Sequence, residues 1–286
     1  MKKIRITHET QYHYKQPVTF GQHRALMRPR EGHDVHIDRG RLVIEPKSSV
    51  RWVRDLDANS AAIITFEEPA DNLRIFSEVD VDLYDEKLEE CHVDANARSF
   101  PFQYPFAEHL GLIPYRLPSF PQDGTVLRDW LGDLYQAGQL IDTLDLLNNL
   151  NTRIFETFKY SRREDPGVQL PSETISLGSG SCRDYAVLMM EAARNWGLAA
   201  QFVTGYVQMG EGQHGATHAW TEIYIPGVGW KGYDPTNNKL AGDEHISVGV
   251  SPHHAQASPL SGSWSGPADA FDTMNVSVQV VALKEE

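Results

Sequence analysis

The chain has 286 residues, 41% of them apolar and 23% charged, which is globular composition with enough length for two domains or one large one. Its formal net charge is −13, from 39 acidic against 26 basic residues. That sign excludes phosphate backbones and anionic membrane surfaces as partners, and the acidity is read as solubility.

The first stretch reads as β. Ile4, Ile6 and His8 alternate with Lys3, Arg5 and Thr7, and RLVIEP, VRWVRDL, AAIITFEE and LRIFSEVDVDLYD are short runs rich in β-branched and aromatic residues. Turn-forming segments such as PREGHD and EPADN separate them. A small antiparallel β domain over 1–105 is expected, with no chemistry in it beyond scattered histidines. The basic start MKKIRITHETQYHYKQ is followed by no apolar stretch of signal-peptide length, and no run of about 18 apolar residues exists for a membrane span.

Proline and aromatic residues crowd PFQYPF, IPYRLP and SFPQDG, so 106–124 is expected to be a linker wrapped along a surface. Helical periodicity begins near Thr125, with Val126, Trp130, Leu131, Leu134 and Tyr135 on one face. A second helix is expected with Thr143 as its cap and Leu144, Leu147, Leu150, Ile154 and Phe158 as its stripe. The polar stretch YSRREDPGVQLPSETISLGSGS reads as a long functional loop. DYAVLMMEAARNWG follows, apolar nearly all round, as a buried helix ending at Gly197. AAQFVTGYVQM, HAWTEIYI and GWKGYDP are successive strands, the last two joined by the turn PGVG. The catalytic core is placed at 125–250. A tail over 251–286 closes with MNVSVQVVAL, which alternates like one more strand.

Chemistry concentrates in the second half. Cys182 lies in GSGSCRDYA, where a glycine-bearing loop enters a helix. A helix start offers unpaired N–H groups and a partial positive charge, which favour a thiolate nucleophile and can bind an oxyanion. Gly178 and Gly180 would let a substrate approach the backbone. The bland alternative is a small buried thiol, which is the reading given to Cys91. With only these two cysteines there is no disulfide framework, and a cytoplasmic location is expected.

His218 opens a strand on which Trp220, Glu222 and Tyr224 share its face. Asp234 precedes Pro235, and a hairpin centred near Pro226 would set it opposite His218, where a carboxylate holds the imidazole tautomer. Alone, each is as readily a satisfied histidine or an Asx-turn cap. His214 and His218 are four apart, but HGATH lacks the glutamate of the zinc-protease motif. No metal site is therefore assigned. The EF-hand calcium pattern is missing too, and no cofactor is called for.

GSGSCRDYAVLMMEAARNWGLAAQFVTGYV, THAWTEIYIPGVGWKGYDPTNNK and DEHISVGV closely resemble the core of bacterial transglutaminase-like proteins. The start, ITHETQYHYKQPVTFGQHRALMRPREG, looks like the β domain that precedes that core in the same family. The resemblance implies an α+β fold with a papain-like transglutaminase core behind a small all-β domain. It implies Cys182 as nucleophile, His218 as its base and Asp234 as the partner of His218. A second oxyanion donor is not identifiable by motif, and Gln169 is the residue chosen for it. Arg183 and Asp184 are expected to pair or cap around the helix start, and Trp220 and Tyr233 to wall the cleft or fill the core. The implied activity is acyl transfer on a protein or peptide amide through a thioester, with hydrolysis preferred. Glutamine–lysine cross-linking and a catalytically silent binding module remain as alternatives.

Overall fold

The computed structural model describes residues 1–84, 92–163, 165–208, 216–242 and 244–283. Cys91 and His214 lie outside them. In chain order the strands β1 (Lys2–Phe20), β2 (His23–Ala25), β3 (Val35–Glu45), β4 (Ser48–Arg54), β5 (Ser60–Phe66) and β6 (Ala70–Leu83) come first. Next are β7 (Ser99–Phe100), α1 (Phe106–Arg116), α2 (Gly124–Leu131), β8 (Ile141–Asp142), α3 (Thr143–Thr157) and β9 (Lys159–Tyr160). Then follow α4 (Pro171–Leu177), β10 (Ser179–Gly180), α5 (Cys182–Asn195), β11 (Ala200–Val207), β12 (Ala216–Ile225), β13 (Gly229–Asp234) and β14 (Lys239–Leu240). The last four strands are β15 (His245–Ser251), β16 (Leu260–Ser261), β17 (Trp264–Ser265) and β18 (Phe271–Ala282).

The alternation at the start of the chain has its expected consequence: Ile4, Ile6, His8 and Thr10 turn inward from β1. β1 pairs with β6 on one side and with β18 on the other, both antiparallel. β16 and β17 pair with β2 and β1. The stretch expected as a C-terminal tail is thus spent on the N-terminal sheets rather than on the core. Two sheets result, one containing β17, β1, β6, β3 and β18, the other ordered β16-β2-β5-β4. They share an interior of Tyr14, Val18, Phe20, Ala25, Met27, Ala62, Ile64, Leu73 and Ile75.

The other sheet runs β14-β13-β12-β11-β15 and packs on α5. Every residue of α5 from Asp184 to Arg194 is buried, which its all-round apolar sequence requires. Ala219, Ile223 and Ile225 of β12 meet it in one core, and Thr221 Oγ1 donates to the Ala186 carbonyl at 2.6 Å. Opposite His218 on β11 stands Gly205, whose added Cβ would lie 2.2 Å from the Ile246 carbonyl oxygen and 2.5 Å from the Trp220 ring. Only glycine allows β11, β15 and Trp220 to approach that closely.

The N-terminal sheet is fastened to this core through one apolar cluster. Ile4, Ile6, Val79, Val81, Val278 and Val280 pack with Tyr206, Ile246 and Val248. His8 Nδ1 and the Tyr206 hydroxyl hydrogen-bond across the same seam at 2.8 Å. Burial lowers the His8 pKa to about 4, so the ring is neutral there.

Several sequence-based expectations are corrected. The 106–124 segment holds α1, with Pro114 inside it, rather than a bare linker. The long polar loop contains α4, which begins on Pro171, a residue suited to a first helical position. α2 buries Leu127 and Leu131, while Val126 is exposed. The cap of α3 is Asp142, whose carboxylate accepts from Leu144 N and Asp145 N at 2.9 and 3.1 Å, and Thr143 is the first helical residue.

Candidate active site

Cys182 is the first residue of α5 and is partly exposed. The helix start is held by one carboxylate. Asp184, fully buried, accepts from Ser181 N and Ser181 Oγ on Oδ2 at 2.8 and 2.7 Å. Its Oδ1 accepts from Gln169 N at 2.7 Å and Arg163 Nη1 at 2.8 Å. Burial opposes the charge on Asp184, and those four hydrogen bonds outweigh it and hold the carboxyl below its ordinary range. Arg183 donates to the Arg163 and Asp165 carbonyls, closing the same loop. The pairing and capping roles expected for Arg183 and Asp184 are the ones seen. Replacing Asp184 with alanine strips four donors of their acceptor and is expected to cost about 3 kcal/mol, measured as a loss of unfolding free energy in urea.

Gly178 and Gly180 are accounted for by the loop itself. Gly178 takes a left-handed conformation, φ 64°, as the C-cap of α4. Gly180 is buried, and a Cβ there would lie 3.0 Å from Asp184 Cβ and 3.1 Å from Gln169 Oε1. Their place in the sequence thus has a reason in the backbone turn and packing of the loop.

Thr221 on β12 is anchored to Ala186, one turn into α5. His218 lies three residues before Thr221 on β12, and Cys182 lies four before Ala186 at the start of α5, so this one contact brings both residues toward the same end of the core. His218 Nε2 donates to Asp234 Oδ2 at 2.8 Å. With Nε2 committed to the carboxylate, Nδ1 is the nitrogen left for the sulfur. Burial opposes charge on the His218 ring, but the hydrogen bond with Asp234 and the negative charges of Asp234 and Cys182 outweigh it and raise the pKa to about 10.

Asp234 reaches His218 in a register one step from the expected one. β12 and β13 pair Thr221↔Tyr233 and Ile225↔Gly229, so the hairpin is centred on Gly227 rather than Pro226. Continued, that register sets Asp234 beside Trp220, and the carboxylate meets His218 diagonally on the same face. Asp234 is fully buried and receives five hydrogen bonds. Thr236 N and Asn237 N donate to Oδ1 at 3.0 and 3.3 Å. Asn237 Nδ2, His218 Nε2 and His245 Nε2 donate to Oδ2 at 2.7, 2.8 and 3.1 Å. Burial alone would raise its pKa; the bonds from His218 and His245, the His218 charge and the Asn237 bond together push it far below the carboxylate range.

Gln169 is buried beside the helix start, with Oε1 accepting from Thr174 Oγ1 at 3.0 Å. Trp220 and Tyr233 are buried at 2% and 0% exposure, so the cleft-lining role gives way to the core-filling one. Trp220 backs the site instead, its ring 6.3 Å from that of His218 and 5.1 Å from that of His245. Two residues were not singled out from sequence. His245 stands inside DEHISVGV but carries no local signal. Tyr160, on β9 parallel to β10, is half exposed, and its phenol is raised by burial and then by the charge of Cys182. Among the described residues, His218, Asp234 and His245 offer atoms within 4.8 Å of one another, close enough to hold a metal. The distances from the two rings to Asp234 are hydrogen-bond lengths, and each ring has a proton to give it.

Comparison with known families agrees with this construction. Residues 4–82 match the bacterial transglutaminase-like N-terminal region, and residues 136–235 match the core of the transglutaminase-like superfamily. This is a transglutaminase-like chain. An uncharacterized protein of Mycobacterium tuberculosis is 27% identical to it over 281 residues, covering 91% of this chain and 87% of the relative. One from Mycobacterium leprae is 34% identical over 93 residues, 30% of this chain and 33% of its own length. Among solved structures, one from Cytophaga hutchinsonii named "Putative Cysteine Protease" is similar in fold, with TM-score 0.74 and 16% identity, covering 100% of this chain and 93% of the other. The transglutaminase-like chain is α+β, with its superfamily core behind an all-β N-terminal region. That superfamily core supports cysteine-based catalysis. No helix among its described residues is long and apolar enough to cross a membrane.

Proposed function

We propose that the chain is a cysteine amidase or protease that cleaves a peptide or protein amide through a thioester on Cys182. The observation that supports this reading is the buried Asp234 carboxylate bonded to the His218 ring, a ring that also feels the charge of the helix-borne Cys182 sulfur. His218 takes the thiol proton, and the sulfur attacks the amide carbonyl carbon. The Cys182 N–H, with the Gln169 side-chain amide, supports the oxyanion. The tetrahedral intermediate collapses, the C–N bond breaks, and His218 gives its proton to the departing amine. Water, deprotonated by His218, then attacks the thioester and releases the acid and the thiol. Asp234 holds the His218 tautomer throughout.

Hydrolysis is preferred to transfer because Cys182 is partly exposed and Tyr160 beside it is half exposed, so water reaches the thioester. Cross-linking demands that water be kept out. With only two cysteines in the chain no disulfide framework is expected, which supports the cytoplasmic reading. The test offers a denatured protein substrate together with a fluorescent primary amine. New N-termini that vanish with Cys182→Ser are expected. Amine incorporation without cleavage would overturn hydrolysis, and no Cys182-dependent product across a broad peptide library would favour the silent binding module.

A further inference from the structure

Asp234 serves two histidines, and the mechanism above uses only one. His218 and His245 donate to the same oxygen, Oδ2, at 2.8 and 3.1 Å. The His245 side chain is 3% exposed. Its other nitrogen, Nδ1, accepts from Gly242 N at 3.4 Å, while its own backbone N donates to the Gly242 carbonyl at 2.8 Å. The ring is therefore oriented by its own turn before it reaches Asp234, with its proton on Nε2. The indole of Trp220 meets it edge-on, at 77° and 5.1 Å, and lies 6.3 Å from His218, whose ring is itself 6.2 Å from that of His245.

Placement makes this contact unusual for a merely satisfied core histidine. Asp234 ends β13 and His245 begins β15, and β12 and β11 lie between those strands in sheet order. The hydrogen bond closes the end of the sheet. Oδ1 is held by the Asp234 turn itself, through Thr236 N and Asn237 N. The position of Oδ2 is left to Asn237 and His245, and Oδ2 is the atom that orients His218. β15 is anchored from behind, because Ile246 and Val248 are buried in the seam with Ile4, Ile6, Val278 and Val280 of the N-terminal sheet.

We propose that His245 is a positioning residue of this site, donating from Nε2 to fix Asp234 Oδ2 where it holds His218 against Cys182. The N-terminal sheet, by gripping β15, then takes part in setting the site. This rests on the proposed cysteine mechanism.

The experiment measures alkylation of Cys182 by iodoacetamide at pH 6, resolved by peptide mass spectrometry, in wild type, His218→Ala, His245→Leu and His245→Gln. Leucine keeps the bulk and removes the donor, and glutamine returns an N–H near Nε2. His245→Leu is expected to slow labelling about tenfold, the scale of one lost orienting hydrogen bond, and His245→Gln to recover most of it. Nitrogen-resolved NMR of the wild type is expected to show the His245 proton on Nε2, a readout that survives if a variant fails to fold. A proton on Nδ1 overturns the proposal. So do wild-type labelling in His245→Leu, equal slowing in both His245 variants, and stoichiometric zinc in the purified protein that is lost from His245→Leu. Those results leave the cysteine mechanism standing provided His218→Ala is slow. If wild type labels no faster than His218→Ala, the mechanism itself fails and His245 loses its role with it.

Discussion

Alkylation of Cys182 at pH 6 is expected to be rapid in the wild-type protein and to fall by about a hundredfold or more in His218→Ala. The ring is bonded to Asp234, and this bond with the negative charges of Asp234 and Cys182 outweighs its burial and raises its pKa to about 10. An imidazolium at that position would stabilise negative charge on an attacking sulfur. Two interacting groups share their titration, so the labelling profile belongs to the pair. The variant should lose the acidic limb of the wild-type profile and label only as the pH approaches that of a free thiol, near 8.5 or so. Rates followed from pH 5 to 9 by site-resolved mass spectrometry check this. Superimposable profiles in the two proteins would mean that His218 does not activate the sulfur.

Replacing Asp234 with asparagine is expected to lower turnover by roughly 10²–10⁴-fold and to destabilise the fold by about 3 kcal/mol. The catalytic loss arises because asparagine can present its NH₂ to His218 and select the wrong tautomer. The stability loss arises because two buried rings and three further donors converge on a carboxylate that is itself fully buried.

The pH dependence has a definite sign on each side. Asp234 has a folded pKa far below its unfolded value, so its contribution is present above about pH 4 and is lost as the pH falls through the depressed range. His218 has a folded pKa raised to about 10, so its contribution is complete below about pH 6.5 and is lost as the pH rises toward 10. Melting temperature against pH should therefore show a plateau between those limits in the wild type. Asp234→Asn should flatten both flanks, and unchanged flanks would show that the pair contributes nothing to folding.

Much of the site is legible in the chain because its signals are short-range. A cysteine after a Gly-Ser loop and before an apolar helical run marks a helix start, and α5 begins at Cys182. A histidine opening an alternating run marks a strand edge, and β12 carries His218 three residues before the Thr221 anchor. Asp234 before Pro235 marks the end of a strand, and β13 ends there. Each of those features is decided by neighbours within one turn or one strand.

Other features depended on contacts between distant segments. The exact hairpin register shifted by one step on each strand, because it is settled by the whole ladder and by the turn at Gly227. α4 escaped notice because a seven-residue helix barely develops a periodicity.

Sequence by itself therefore determined the chemical types in the site, the helix that carries the sulfur and the strands that carry its partners. Only the tertiary structure decided that β18 closes on β1, that Asp184 ties Arg163 and Gln169 to the helix start, and that His245 shares an oxygen with His218. The physical reason is the same in all three. A local pattern reports how a segment will fold, whereas the partner of a buried polar group is chosen by whichever distant chain the packed core brings within hydrogen-bond reach.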